Sequence, residues 1–242
     1  KGVHLIEDMR FPTQAGDVFV IHERVRHGFE DSLGLDMYNL AFDRRVLRDG
    51  VDELEPLAGL QMLLHVEPQY RLKHNFSSKL HLTAEQLVDI RRNIEAMFLE
   101  QQACRPGYRA MMRTAFLRLL IRLSRFYPDA QSPKLDKVMG LSHAISYIHE
   151  HYAERLRVDA LARHSALSTS SFTRAFRECF DCSPIEYVLQ VRIRRACELM
   201  QHPEKSLTEI ALETGFESSS YFSHKFRERM GVSPREWRRQ YR

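Results

Sequence analysis

Two short sets of polar side chains share one spacing along the chain. They lie at positions i, i+3, i+4 and i+7 and consist of hydroxyl and basic residues: Ser170, Thr173, Arg174 and Arg177 in the first set, and Ser220, Ser223, His224 and Arg227 in the second. This spacing places four side chains on one face of a helix. Short hydroxyl groups let a helix settle deep in a groove, whereas Arg and His reach base edges or phosphates. The chemistry that these residues predict is recognition of nucleic acid.

Both sets lie inside an internal repeat. Residues 158–187 align with residues 207–237, at an offset of 49 before the serines and 50 after them, so the second copy has one extra residue. The matched pairs are Ala162 and Ala211, Leu167 and Phe216, Phe172 and Phe222, Phe176 and Phe226, Pro184 and Pro234, and Tyr187 and Trp237. A single copy would fit an ordinary helical bundle with a solvated polar face. Two copies with matched apolar and polar positions favour two units of one function.

Each copy has the parts of a helix-turn-helix unit, and we predict these units over residues 158–180 and 207–230. A small residue in the first helix, Ala162 or Ala211, allows the second helix to cross closely. The turn comes four positions later, where Gly215 suits a left-handed backbone and Ala166 suits it less well. Ser168 in one copy, and Glu217 or Ser218 in the other, can cap the second helix.

The segment between the two copies predicts a single helix. Pro184 to Met200 has apolar positions at helical spacing, and its 17 residues would span about 25 Å. Such a strut suits two recognition helices held about 34 Å apart, one turn of double-stranded DNA, on the same face of the duplex. One subunit would then read two adjacent half-sites without dimerising.

The front of the chain has a different pattern. Residues 1–43 predict strands, with β-branched and aromatic runs from Val18 to Ile21 and from Leu35 to Phe42. The following residues, up to Leu82, show only scattered apolar positions. We therefore treat residues 1–82 as one domain.

Residues 83–127 predict an antiparallel helix pair. Thr83 and Gln86 form a capping-box pattern, and Leu87, Ile90, Ile94 and Met97 mark one face of the first helix. Two interpretations stay open: the pair covers the strand domain, or its remaining apolar face is the contact of a homodimer. Residues 128–136, which contain Pro128, Ser132 and Pro133, predict a linker before an all-α domain over residues 137–242.

Charge separates the two parts of the chain. Residues 1–133 hold 18 Lys and Arg against 18 Asp and Glu, whereas residues 134–242 hold 18 against 14, so the whole net charge of +4 lies in the second part. A basic surplus confined to one segment indicates a polyanionic partner for it. No apolar run reaches the roughly 18 residues of a membrane-spanning helix. Because the chain opens at Lys1 in the middle of a pattern, we expect that an N-terminal part is missing.

An enzyme or metal site has little support. Cys179 and Cys182 form the chain's one C-x-x-C pair, with no second pair of ligands for zinc and no preceding strand for a redox site. Reduced thiols of a cytosolic protein are the expected state. No nucleophile with an oriented base stands out, so we expect no catalytic residue, no metal and no cofactor.

The repeat resembles the DNA-binding domain of the AraC/XylS family of bacterial regulators. The residues that carry the resemblance are Ile210-Ala211, Gly215-Phe216, Tyr221-Phe222-Ser223, Phe226-Arg227, Gly231, Ser233-Pro234 and Trp237. The resemblance covers residues 137–242 and implies base reading by Ser170, Thr173 and Arg174 in the first unit, and by Ser220, Ser223 and His224 in the second. His224 departs from the Arg that many members carry, so a bidentate contact with guanine is not implied there.

The front half resembles the cupin-type effector domain of the sugar-responsive members, the rhamnose regulators in particular. The similar residues run from Gly16 to His22, then His27, then Leu35 to Asn39. The resemblance implies an α+β protein with a partial cupin-like β-barrel, in which His22 and His27 contact a monosaccharide. The implied function is a cytoplasmic activator of a carbohydrate operon that works with RNA polymerase. The alternatives are a regulator of the same family that answers a non-sugar signal or represses, and a cupin metalloenzyme.

Overall fold

The computed structural model describes residues 1–23, 25–31, 34–43, 46, 52–74, 79–127 and 133–240. The chain divides into two compact units, Lys1–Ser146 and Tyr147–Arg242. Within the described part, no helix is both long enough and apolar enough to cross a bilayer.

Short strands open the first unit. The first two, β1 (Gly2–Ile6) and β2 (Met9–Thr13), pair antiparallel in register, and β4 (His27–Glu30) pairs with the other edge of β1. A separate two-stranded sheet joins β3 (Asp17–Val18) to β5 (Leu80–His81). Ile6 and Phe11 point into the core and are almost fully buried. The described strands thus form two small sheets, and neither closes into a barrel.

The predicted strand from Leu35 to Phe42 is wrong. This segment has no strand pairing, and most of its side chains are exposed. It contacts helices instead: the Tyr38 hydroxyl donates to Glu95 Oε1 at 3.3 Å, and the Phe42 and Phe116 ring centroids are 4.7 Å apart. Tertiary contacts with these helices override the β propensity of the run. The cupin-like barrel is therefore not formed by the described residues.

A helical segment lies where the sequence showed no pattern. It consists of α1 (Ala58–Gln61), a π-helical turn (Met62–Val66) and α2 (Glu67–His74). Leu60, Met62, Leu63 and Leu64 are all buried, so the segment has no polar face in its first half. A helix buried all round has no amphipathic period, which explains why periodicity missed it.

The predicted helix pair is present. It consists of α3 (Ala84–Ala103) and α4 (Tyr108–Arg125), joined by a short break. The Thr83–Gln86 capping box is confirmed, with Gln86 N donating to Thr83 Oγ1 at 3.2 Å and Thr83 N donating to Gln86 Oε1 at 3.0 Å. Gly59 of α1 allows the closest approach to α4, because a Cβ there would lie 1.9 Å from the Ser124 carbonyl oxygen.

The next helix, α5 (Pro133–His151), begins inside the predicted linker and runs across the boundary between the two units. Residues 128–132 of that linker lie outside the described residues. The second unit is entirely helical in its described part. Its helices are α6 (Val158–His164), α7 (Thr169–Phe180), α8 (Pro184–Leu199), α9 (Leu207–Glu213), α10 (Ser219–Met230) and α11 (Pro234–Gln240).

Helix α8 supplies core residues to both halves of the second unit. Near its start, the Tyr187 ring packs 5.5 Å from Phe176 in the first half. Near its end, Ile193 and Ala196 join the second core. The other members of that core are Met200, Ile210, Ala211, Phe216, Phe222, Phe226 and Trp237. The predicted connecting helix is thus present, and its 16 residues span about 24 Å.

Candidate nucleic-acid interface

Helix α7 presents the first set of predicted contact residues on its outer face. The Ser168 hydroxyl caps the helix by accepting from Ser171 N at 3.3 Å. The opposite face is anchored by Phe172 and Phe176, both fully buried. The outward residues Ser170, Arg174 and Arg177 are exposed, and Thr173 is half-buried with its hydroxyl donating to the Thr169 carbonyl at 2.8 Å.

Helix α10 repeats this arrangement with the second set. Its cap is Ser218, whose Oγ accepts from Tyr221 N at 3.1 Å, so Ser218 rather than Glu217 is the capping residue. Phe222 and Phe226 are fully buried on the inner face. The outward residues are Ser220, His224 and Arg227, which are exposed, and Ser223, which is half-buried. The structure therefore brings each predicted set together on one solvent-facing helix surface.

The basic groups of these surfaces are only loosely paired within the protein. The Arg174 side chain is 71% exposed, and its Nε lies 4.0 Å from Glu178 Oε1. The His224 side chain is 73% exposed, with Nε2 3.9 Å from Glu228 Oε2. Exposed pairs of this length contribute little stability. Both side chains can therefore exchange their carboxylate for a phosphate or a base edge at small cost.

Glu228 itself has a stronger partner on the same helix. Its carboxylate accepts from Lys225 Nζ at 2.7 Å. The hydrogen bond and the charge of Lys225 hold the pKa of Glu228 below its ordinary value, and the nearby His224 acts in the same direction. An ionised Glu228 therefore neutralises Lys225 rather than the outward-facing His224.

The two turns share a left-handed residue. Gly215 has φ +81°, and a Cβ there would lie 2.5 Å from the Ala153 carbonyl oxygen, so this position requires glycine. Ala166 adopts φ +53° at the matching place in the first unit. The prediction that both turns use this backbone conformation is confirmed, and the first turn carries the strain of a side chain in it.

Sequence reasoning missed the residue that braces α8. Arg192 donates through Nε to the Tyr152 carbonyl and through Nη2 to the Glu154 carbonyl, both at 2.7 Å. Its guanidinium carbon also lies 5.9 Å from the centroid of the Phe216 ring. A lone Arg on a helix gives no sequence signal for this role. Arg192 thus joins the turn after α5 to the helix that both halves share.

Three more capping boxes were also missed, although the sequence carries their pattern. Each has Ser at the N-cap and Glu three residues later: Ser183 and Glu186 at α8, Ser206 and Glu209 at α9, and Ser233 and Glu236 at α11. The first and third occupy matching places in the repeat. They fix the start of the helix that follows each recognition helix.

The two predicted effector residues lie in separate surroundings of the first unit. His22 is half-buried, with Nε2 2.8 Å from the Leu64 carbonyl oxygen, and it lines a cavity of about 10 Å³, enough for one water molecule. His27 is exposed on β4, with Nδ1 3.4 Å from Nε2 of the buried His4. Burial above all, and then the charges of His27, Arg71 and Lys79, lower the pKa of His4 to about 4. His22 and His27 do not share this cavity.

No described part of the chain gathers three or more His, Cys, Asp or Glu residues in a group that could hold a metal ion. None of the four cysteines forms a disulfide, and Cys104 is exposed whereas Cys179 is buried. Burial above all, aided by the charge of Glu186, raises the pKa of the Cys182 thiol. A raised pKa leaves that thiol protonated and unreactive at neutral pH.

Comparison with known proteins places the interface in a family. A helix-turn-helix domain family matches residues 161–240. The HTH-type transcriptional activator RhaS of Escherichia fergusonii is 28% identical over 237 residues, which cover 98% of this chain and 81% of that protein. The Escherichia coli protein of the same name is 26% identical over the same length.

One solved structure is also similar to part of this chain. It is a transcriptional regulator from Chromobacterium violaceum, described by its AraC-type DNA-binding domain. It is 33% identical, with 42% of this chain and 90% of that chain covered and a TM-score of 0.40. The chain belongs to the AraC/XylS family of DNA-binding transcription regulators.

Proposed function

We propose that this protein is a sugar-responsive activator that binds the operator of a carbohydrate operon through both recognition helices. The observation that supports this proposal best is that α7 and α10 are built alike. Each has two buried Phe side chains on one face, and hydroxyl and basic side chains on the other. In the first helix, Ser170, Thr173 and Arg174 read bases while Arg177 contacts phosphate. In the second, Ser220, Ser223 and His224 read bases while Arg227 contacts phosphate.

Arg174 provides the test of base reading. We expect Arg174→Ala to weaken specific operator binding by about 1–3 kcal/mol and to relax preference at one base pair, because a bidentate contact is lost. Arg163→Ala is the matched control, since Arg163 is also exposed but lies on α6 in a pair with Asp159. Binding measured on operator and random duplexes separates the two roles. An equal loss on both duplexes would assign Arg174 to phosphate alone.

The effector in this proposal is a neutral monosaccharide, with a 6-deoxyhexose as the first candidate. Support comes from the balanced charge of residues 1–133 and from the similarity of the first unit to the front of the sugar-responsive members. We assign the contacts to His22 and His27 in a partial cupin-like domain. Since the cavity at His22 holds one water molecule, binding a sugar there requires neighbouring side chains to move.

Titration calorimetry of the complete protein against pentoses, hexoses and L-rhamnose tests the effector, and we expect residues 1–242 alone to bind weakly or not at all. We expect heat from one sugar and its loss in the His22→Ala variant. A chain that binds none of these sugars but activates transcription in response to another metabolite would be a regulator of the same family with a non-sugar signal. A chain that lowers transcription would be a repressor of the same family. Binding of a divalent metal with turnover of a substrate would instead support the metalloenzyme alternative.

Two further partners belong to the same proposal. An activator must contact RNA polymerase, and its operator lies in the bacterial cytoplasm, where we place the protein. We assign homodimer formation to the helix pair α3 and α4, because large apolar side chains on it remain exposed in the single chain: Val88, Phe98, Leu99 and Met111. This assignment chooses the second of the two interpretations of the pair.

A further inference from the structure

The hydroxyl of Thr173 is used inside its own helix, α7. Its Oγ1 donates to the Thr169 carbonyl oxygen at 2.8 Å, one helical turn earlier. Since a hydroxyl has a single hydrogen, the side chain has no donor left for a base edge. The bond also selects one of the two rotamers that Thr adopts in a helix, with Oγ1 against the helix backbone. The other branch of the side chain, the Cγ2 methyl group, takes no part in this bond and is available to a ligand.

The hydroxyl groups at the start of α7 are also bonded within the helix. Ser168 Oγ accepts from Ser171 N at 3.3 Å and donates to Ser171 Oγ at 2.9 Å. Ser170 Oγ lies 3.3 Å from Ser168 Oγ, so it too is turned toward the cap. The outer face of the first turns therefore carries only small side chains. Such a face lets the start of a recognition helix come close to the base edges in the major groove.

Two buried rings fix the rotation of α7 about its axis. Phe172 and Phe176 are fully buried, and their ring centroids are 5.5 Å apart. Thr173 follows Phe172 directly, about 100° further around the helix. It is half-buried, whereas the other three outward residues of α7 are exposed. Thr173 is thus a short side chain, held at one angle and in one rotamer, in the half of a recognition helix that contacts bases.

The major groove of DNA offers one apolar group to such a side chain. Thymine presents its 5-methyl group there, whereas the other three bases present hydrogen-bond donors and acceptors. A methyl group whose hydroxyl neighbour is already bonded gains nothing from a polar base edge, but it gains from contact with another methyl group. Removal of one methyl group from water changes a binding constant about fourfold. The side chain of Thr173 therefore matches thymine better than any other base.

We propose that Thr173 recognises thymine through its methyl group, so that the half-site bound by α7 contains a T·A base pair that this residue selects. The inference rests on the proposed function, because it names the base that one of the DNA-contacting residues recognises. The matching residue of α10 is Ser223, which has no methyl group. The half-site bound by α10 is then free of this requirement. The two half-sites therefore differ in sequence, which gives the operator a direction.

Replacement of thymine by uracil tests this proposal, because it removes the 5-methyl group and keeps every hydrogen-bonding group of the base. The probe is a duplex that the full chain selects from a random pool, with each thymine replaced in turn. We expect one replacement to weaken binding by wild type about fourfold. Thr173→Val keeps a methyl group and loses the hydroxyl, so it should retain this difference. Thr173→Ser keeps the hydroxyl and loses the methyl group, so it should bind both duplexes with the affinity of wild type for the uracil duplex.

Thr83→Ser is the matched control for these variants. It also removes one methyl group and keeps the hydroxyl that caps α3, so it should bind both duplexes as wild type does. Weaker binding by Thr173→Val but not by Thr173→Ser would assign the contact to the hydroxyl and overturn the inference. A thymine–uracil difference that persists in Thr173→Ser would overturn it as well, because another residue would then contact the methyl group.

The wild type separates this inference from the proposed function. A chain that selects a sequence, but whose binding no uracil replacement weakens, would overturn the inference and leave operator binding in place. A chain that binds every duplex of the pool alike would contradict operator recognition itself, and the inference with it.

Discussion

Ala166 and Gly215 occupy the same place in the two helix-turn-helix turns, and both have a positive φ. An Ala in the left-handed region costs about 1–2 kcal/mol, part of which its lower entropy in the unfolded chain offsets. We therefore expect Ala166→Gly to raise the free energy of unfolding by about 0.5–1 kcal/mol. Urea denaturation of the DNA-binding unit measures this difference.

Gly215→Ala is the opposite test at the matching position. Its Cβ would meet the backbone of Ala153 at 2.5 Å, so the substitution combines an unfavourable φ with a steric clash. We expect it to lower the free energy of unfolding by more than the gain at Ala166. Stabilisation by Gly215→Ala, or loss of stability in Ala166→Gly, would contradict this account of the turns.

His4 gives the first unit a dependence on pH. The pKa of His4 is about 4 in the folded chain, whereas an unperturbed His, as in the unfolded chain, has a pKa of 6.5. As the pH falls, His4 therefore binds a proton at a higher pH in the unfolded chain than in the folded chain. This difference in pKa stabilises the folded chain fully above pH 6.5, and the contribution is lost as the pH falls from 6.5 toward 4, to a total on the order of 3 kcal/mol. The urea midpoint should therefore fall more steeply between pH 7.5 and 4.5 in wild type than in His4→Asn. Parallel curves would show that His4 does not titrate in this way.

At the residue scale, helical spacing predicted which polar side chains share a face, because buried Phe residues fix the inner side of α7 and α10. Their contacts with DNA stay a prediction. The surroundings of His22 and His27 could not be predicted, since the partner of His22 is a backbone carbonyl in a segment without a readable pattern. The role of Arg192 was equally hidden, because its acceptors are backbone groups 38 and 40 positions away.

At the element scale, the sequence predicted some features of the helix pair α3 and α4 but not others. Its capping box and its antiparallel pairing followed from the sequence. A dimer contact at Leu87 and Ile94 stays a prediction: both residues are half-buried, whereas Phe98 and Leu99 near the end of α3 are 58% and 64% exposed. Periodicity identifies an apolar face but not the neighbour that covers it.

Leu99 provides the test of the dimer contact. We expect Leu99→Glu to convert a dimer of the full chain to a monomer, because a charge would be buried in an apolar contact. Gln102→Glu, which adds the same charge at an exposed polar position of the same helix, should leave the dimer intact. Light scattering after size-exclusion chromatography gives the mass. A dimer that persists in a folded Leu99→Glu places the contact elsewhere.

At the scale of the whole molecule, two units with different chemistry follow one another. Both recognition helices, the helix that joins them and α5 from its second residue onward lie within residues 134–242. We therefore expect this fragment to fold alone, to be monomeric and to bind operator DNA without a sugar. Circular dichroism, light scattering and a binding titration test these points. An unfolded fragment, or one without affinity for DNA, would contradict the prediction that this part of the chain is an independent DNA-binding domain.

Salt dependence gives the control for that fragment. The whole net charge of +4 lies in residues 134–242, so binding should weaken steeply as salt increases, through release of counterions from the duplex. The corresponding fragment of residues 1–133, with 18 Lys and Arg against 18 Asp and Glu, should show no such binding. The sequence predicted this asymmetry, but it did not predict that the unit boundary falls within α5, because a continuous helical pattern carries no mark of which core each turn joins.

Helix α8 has a consequence for the promoters that such a protein can serve. One continuous helix contributes to both cores and is held in place by Arg192. The number of residues in α8 therefore sets the distance and the rotation between the outer faces of α7 and α10, which a flexible linker would leave variable. Each residue inserted into α8 would turn one face by about 100° relative to the other. Operators of such a protein should tolerate substitutions of single base pairs better than changes in the spacing between their two half-sites. A lost or gained base pair between the half-sites should silence a promoter more completely than a substitution inside either of them.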